Sequence, residues 1–439
     1  MAETPSASGT PIDFTTTAAP TADSSVDPDL EETPTPPLPK GTLPALRIAP
    51  AGAWAAINWI ALPGGHYPAV PKGEGAGDGN ATVVGWHGGY IEFLWDPEGR
   101  TLTPWVSGNG LTWRAGPRMD LSSFANDFKE IDDQAAQTPE PGESPFPTGE
   151  ADEIRYGCSF VEDQFEEGPS TVLLRGFLHC GDACGHPITM NDDSIWVSSD
   201  GLVWSPVDVK KAFGGAEPNL ISGGSSGFVA YAGSSLWISE DGRSWRTGTM
   251  PAGTNRSQPV AMAGGFVIGD AVVMTKGHND LSEPGYCTQS GADRAKYRAE
   301  FWLSSDGINW TATHTGIVGY GVSVQMTRLH DHLVIAYETD GTHEYQLAST
   351  DAKTWTQLKG PLIDTTSLLC GRDQGFIVDE GDSGVVLKTF DSSLKLITVK
   401  QSGDLPWDDL DPTLWAIGPT GILATADGDR FWIGVPSAG

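Results

Sequence analysis

Leu236-Trp237-Ile238-Ser239-Glu240-Asp241-Gly242-Arg243-Ser244-Trp245 reads as strand, tight turn, strand. Apolar residues run into a Ser-x-Asp-Gly corner, and a Trp follows three residues after the Gly. The turn needs a residue that accepts positive φ, which Gly does without steric cost. The Asp carboxylate accepts hydrogen bonds from the turn amides, and the Ser hydroxyl does so from the other side. The Trp behind the corner is placed to cover the edge of a neighbouring sheet.

The pattern recurs. Trp196 to Trp204 carries Asp200, and Trp302 to Trp310 carries Asp306. Looser copies hold Asn109 (Trp105 to Trp113) and Asp351 (Leu347 to Trp355). The weakest hold Asp391 (Thr389 to Ser392) and Asp427 (Thr425 to Phe431). The boxes start at 107, 198, 239, 304, 349, 389 and 425, so the shorter intervals are 41, 45, 40 and 36 residues. That is the length of one four-stranded propeller blade. Gly-aromatic strand starts support the count at Gly89-Tyr90, Gly176-Phe177, Gly227-Phe228, Gly265-Phe266 and Gly375-Phe376, with His332-Leu333 in the matching place. The expected fold is all-β: a seven-bladed β-propeller of four-stranded antiparallel blades with inserted loops. Stacking copies buries faces that one copy cannot bury alone.

These boxes resemble the Asp-box, or bacterial neuraminidase repeat, of the sialidase-like propellers, over roughly residues 85–435. The usual box is Ser-x-Asp-x-Gly-x-Thr-Trp. Here it is one residue shorter, which implies a tighter turn. The resemblance implies a structural role for Asn109, Asp200, Asp241, Asp306, Asp351, Asp391 and Asp427, at the blade periphery and away from the ligand-binding mouth. A sialidase would also need three arginines on a substrate carboxylate, a Tyr nucleophile with a Glu, and an Asp acid/base. The family's Phe/Tyr-Arg-Ile-Pro motif has only Leu46-Arg47-Ile48-Ala49-Pro50 as a counterpart, with an inserted Ala and no aromatic. Arg298, Arg328 and Arg372 are the other candidates, none in a matching motif. Tyr337 and Glu338 are adjacent, so in a strand they point to opposite faces. No Gly-x-Ser-x-Gly, His-Glu-x-x-His or P-loop signature occurs. No catalytic residue is assigned, and the reading leans away from an enzyme, with a sialidase-like glycoside hydrolase as the alternative.

The chain has 439 residues, with 55 Gly and 16 Trp, which suits a turn-rich β protein. Its net charge of −31 argues against nucleic acid or an anionic membrane as partner. No apolar run is long enough to span a bilayer. Residues 1–42 are rich in Thr, Ser, Pro and Ala and read as a disordered tether. They contain no basic and apolar leader. Such a tail suits a mature ectodomain behind an export signal or lipid anchor, so an extracellular or surface-anchored monomer is expected. The propeller is expected over 43–439, with insertions at about 120–170 and 270–300. Ala55 to Leu62 reads as a strand that either begins blade 1 or closes the ring against the last blade. Gly73 to Asn80 reads as a loop.

Five cysteines occur, without a paired zinc pattern. Cys180 and Cys184 are disulfide candidates if the chain is exported; a metal site using His186 lacks further ligands. No cofactor or metal is expected. The loop carrying Cys287, Arg294, Lys296, Tyr297 and Arg298 is the most basic patch of an acidic protein. Insertions between propeller strands project from a ring face, where ligands are met. Arg294, Lys296, Tyr297 and Arg298 are therefore the ligand-binding candidates, for a glycan, protein or surface ligand.

Overall fold

A computed structural model describes residues 53–62, 82–96, 99–135, 157–181, 187–190, 194–252, 254, 258–275, 296–319, 322–339, 343–359, 363, 368–381, 384–404, 414–426 and 430–437. All lie within one compact unit, Pro36–Gly439. The tether, Arg47, the loop Gly73 to Asn80, Cys184, His186, Cys287, Arg294 and Asp427 fall outside the described residues.

The Ser-x-Asp-Gly corners form as their chemistry dictates. Ser239 Oγ accepts from Gly242 N at 2.8 Å, while Asp241 Oδ1 accepts from Arg243 N and Ser244 N at 2.8 and 2.7 Å. Ser198 with Asp200 and Ser304 with Asp306 repeat the arrangement, and Asn109 does the same work with an amide oxygen. Gly242 sits at φ 72°. The fifth corner has Ala352 in that place, held at φ 54° and fully buried.

Each of the first six corners joins the third and fourth strands of a blade and leans on the blade before it. The Gly242 corner packs on Val197, and the Gly307 corner on Ile238. Trp204 meets Phe93 edge to face at 5.3 Å, and Trp355 stacks on Phe301 at 4.0 Å. The repeated corner is thus the seam between blades, which is why it repeats.

The result is a seven-bladed propeller of four-stranded antiparallel blades. Blade 1 runs Thr82–Trp86, Gly89–Asp96, Thr101–Ser107 and Arg114–Ala115. Blade 2 (Gly157–Glu167, Val172–Gly181, Ser194–Ser198 and Ser205–Pro206, with Pro187–Met190 paired to its second strand as an addition), blade 3 (Leu220–Gly224 to Arg246–Thr247), blade 4 (Val260–Met262 to Thr311–Gly319), blade 5 (Ser323–His330 to Thr356–Gln357) and blade 6 (Leu368–Leu369 to Leu396–Thr398) follow the same plan. Blade 7 takes only three strands from the end of the chain: Leu414–Gly418, Gly421–Ala426 and Arg430–Pro436. Its fourth is Ala56–Ala61, paired antiparallel so that Asn58 faces Val435. Ala56–Ala61 therefore closes the ring, and Lys400–Gly403 adds a parallel strand outside it. The inner strands of blades 1 and 7 approach so closely that a Cβ at Gly85 would collide with the Ile417 carbonyl.

Three expectations need correction. The acidic excursion does not extend to residue 170, because Gly157–Glu167 is the inner strand of blade 2. Its acidic residues hide a strand that lines the central channel rather than a closed apolar core. Gly176-Phe177 lies inside the next strand, Val172–Gly181, instead of starting it. The seventh box falls between the second and third strands of blade 7. The other corner is missing there because the fourth strand comes from the far end of the chain. Two further segments are helical, Ala125–Ala135 and Val209–Phe213, and the strands Gly265–Thr275 and Lys296–Ser304 reach into the second excursion.

Candidate functional site

The inner strands of all seven blades surround a cavity of about 500 Å³ on the propeller axis. Each inner strand ends at the turn into its second strand, so those turns gather at one end of the channel. Blade 2 brings three carboxyls from Gly157–Glu167: Glu162, Glu166 and Glu167. A register shift between Glu162 and Gln164 breaks the alternation of this strand, as a bulge does when it re-aims side chains.

The turn end of the channel is closed by a charged network. Glu166 Oε2 accepts from Gly223 N of blade 3 at 2.8 Å and from Arg328 Nη2 of blade 5 at 3.2 Å. Arg328 Nη1 also donates to Asp331 Oδ1 at 3.0 Å. Asp331 in turn accepts from Ser225 N at 3.0 Å, and its backbone carbonyl accepts from Ala263 N of blade 4 at 2.7 Å. Glu167 Oε1 accepts from Arg372 Nη1 of blade 6 at 2.6 Å and makes a short contact with His87 Nδ1 of blade 1; its Oε2 accepts from His87 N. Six blades are stitched together here. Burial raises the Glu166 carboxyl above its usual range despite the opposing Arg328 charge. Burial lowers Arg372, but the carboxylates of Glu167, Asp331 and Asp373 together outweigh it and raise the guanidinium above its usual range.

Glu162 stands apart from this network. Counted along the inner strands, it lies level with Leu220, Gln258 and Met326, toward the opposite end. Its Oε2 is closed off from solvent and has no hydrogen-bond partner. Burial raises its carboxyl to about 7. The nearby Arg175 is turned to Asp163 Oδ2 at 3.3 Å and to Gln164 Oε1 at 3.2 Å.

Of the sequence candidates, Lys296, Tyr297 and Arg298 lie on the third strand of blade 4, away from the channel lining. There Tyr297 faces Val273 and Gly319, and Arg298 is held by Glu300 on its own strand. The structure does not bring them to the cavity. Arg328 and Arg372 do reach it, whereas Arg298 does not. The backbone of Cys180 sits directly across from Cys158 in the first two strands of blade 2. The boxed residues Asn109, Asp200, Asp241, Asp306, Asp351 and Asp391 serve the corners between outer strands, away from the cavity. Glu162, Glu166 and Glu167 escaped the sequence reading. The available signal was the turn Gly168-Pro169-Ser170, which marks Glu167 as the last residue of an inner strand. Among the described residues no cluster of His, Cys, Asp and Glu suits a metal ion, and no helix is long and apolar enough to cross a membrane.

No known family model matches the sequence, and no curated protein matches it. Among solved structures, a streptogramin B lyase is similar over 88% of this chain and 100% of its own, at 6% identity and a TM-score of 0.38. Prolyl oligopeptidase B from Galerina marginata is similar over 80% of this chain and 46% of its own, at 11% identity and a TM-score of 0.35. The NanB sialidase from Streptococcus pneumoniae is similar over 81% of this chain and 67% of its own, at 12% identity and a TM-score of 0.29. At these values none of the three informs the function of this chain.

Proposed function

We propose that this chain is a binding propeller that takes a glycan in its central channel, and that it works outside the cell or tethered to a surface by its Pro/Thr/Ser-rich segment. The observation that carries this reading is the convergence of Glu162, Glu166, Arg328 and Arg372 on one cavity with apolar walls, including Val83, Phe165, Ile221 and Ile417. Carboxyl and guanidinium groups at fixed positions suit pairs of sugar hydroxyls, and the apolar walls suit the C–H faces of a ring. Both channel guanidiniums already hold carboxylates. A ligand carboxylate would have to displace them, so a neutral or cationic sugar fits better than a sialic acid.

A second reading, glycoside hydrolysis, is favoured by Glu162 alone. A carboxyl raised to about 7 keeps a proton to donate at neutral pH, as a general acid must.

The test uses the purified chain with neutral and sialylated oligosaccharides, followed by calorimetry and mass spectrometry. Intact sugars that bind support the binding reading. Shortened products favour the second reading, with loss of activity expected in Glu162→Gln. A panel that neither binds nor reacts overturns both. Cell fractionation of the producing organism tests the location, with recovery in the cytosol counting against it.

A further inference from the structure

We infer that the channel selects a ligand bearing a protonated amine, which Glu162 holds as its counter-ion. This deepens the glycan reading and rests on it, the ligand class being a sugar with a free amino group.

Four carboxyls surround the cavity or its floor: Glu162, Glu166, Glu167 and Asp331. Two guanidiniums answer them, and both are committed at the turn end, Arg328 between Glu166 and Asp331 and Arg372 on Glu167. His87 also leans on Glu167, and Arg175, on the neighbouring strand, faces Asp163. Among the described residues no ion pair reaches Glu162, and its Oε2 is buried without a partner. A buried acceptor in that condition is costly, and a carboxylate more so unless a cation meets it.

The surroundings say what kind of cation. Leu220, Met326 and Gln258 lie level with Glu162, and Val83, Ile221 and Val260 continue the wall. Among the described residues no cluster of His, Cys, Asp and Glu suits a metal. A single carboxyl on an apolar wall matches an ammonium group on an organic body instead. The chain's net charge of −31 also favours entry of cations over anions. Burial holds Glu162 near 7, so an arriving ammonium converts a partly protonated carboxyl into a carboxylate and releases a proton to the buffer.

The experiment is calorimetry on the full chain at about pH 6.5, in two buffers of different ionisation enthalpy. The probes are the trimers of glucosamine, N-acetylglucosamine and β-1,4-glucose, with cadaverine as a sugar-free amine. The glucosamine trimer is expected to bind at least about tenfold more tightly than the two neutral trimers, the worth of one charge-assisted contact. Only the amines should release protons. Glu162→Gln should erase that preference and the proton release, bringing the glucosamine trimer to the affinity that the same variant shows for the neutral trimers, and Glu162→Asp should keep part of both. Thermal melting verifies that both variants are folded. Equal affinity for amine and neutral trimers overturns the amine inference and leaves the glycan reading standing, as does a preference that survives in Glu162→Gln. Glu162-dependent binding of cadaverine, without binding of any neutral trimer, upholds the inference and overturns a general glycan site. Binding of none of the four overturns both.

Discussion

The indole N–H of Trp59 donates to Oε1 of Gln401 at 3.0 Å, across 342 residues of sequence. Trp59 is almost wholly buried and lies on the strand that completes blade 7, between Gly434 on one side and Gly403 on the other. One side chain thus fastens both neighbours of the closing strand.

Removing it should open the seam. Trp59→Ala is expected to cost about 3–5 kcal/mol, as truncation of a buried Trp does. Trp59→Phe keeps most of the packing and loses the donor, so about 1 kcal/mol is expected. Urea denaturation followed by circular dichroism measures both. Equal costs would mean that the hydrogen bond, and not the packing, dominates.

Glu92 is a buried carboxyl with no partner on either oxygen. It shares a strand face with Tyr90, whose hydroxyl donates to Gly421 O of blade 7, so it looks into the blade 1–blade 7 seam. Burial raises its carboxyl well above the usual range. The folded state therefore binds this proton more tightly than the unfolded chain. The associated stability is present at low pH and is lost as pH rises above the unfolded value near 4.5. Glu92→Gln should remove that loss, so its stability relative to the parent chain should rise between about pH 5 and about pH 7. Melting curves at the two pH values decide; a constant difference would place the proton elsewhere.

The box aspartates carry the opposite sign. Burial raises the Asp241 carboxyl, but the amides of Ser244 and Arg243 and the Ser239 hydroxyl outweigh it, and the net shift is downward. Its contribution is present above the unfolded value of 3.8 and is lost as pH falls through the folded one. Asp241→Asn, with Asn109 as the natural precedent, should fold and lose about 1 kcal/mol at neutral pH. It should also flatten the acid limb of the stability profile. Denaturant titrations at about pH 7 and about pH 3.5 check this, and an unchanged acid limb would remove the corner from the account.

Arg328 lies between Glu166 and Asp331. Arg328→Met leaves two carboxyls facing each other and should cost about 3–5 kcal/mol. Adding Glu166→Met removes one of them, so the double variant should recover part of that loss. A double-mutant cycle reads the coupling; additive losses would show that the pair is not coupled.

The blade count was legible because a corner needs particular residues. Ser239, Asp241 and Gly242 cannot be replaced freely when each serves a turn amide or a left-handed backbone. The closing strand was less legible, since Ala56–Ala61 would suit any blade edge. The channel was hidden for a different reason. Glu166 meets Arg328 across 162 residues, and Glu167 meets Arg372 across 205. Neither pair has a local pattern, and the carboxyls sit in a stretch whose acidity resembles solvated loop.

Closure by Ala56–Ala61 also sets an order of events during synthesis. This strand is made early, and its partner Arg430–Pro436 among the last described residues. Until Arg430–Pro436 is made, the antiparallel edge of the nascent strand lacks its partner, and the blades made so far form an open arc. Late translation is therefore the interval of greatest exposure to mispairing with other chains. A binder that occupied that edge would have to leave before the circle could shut.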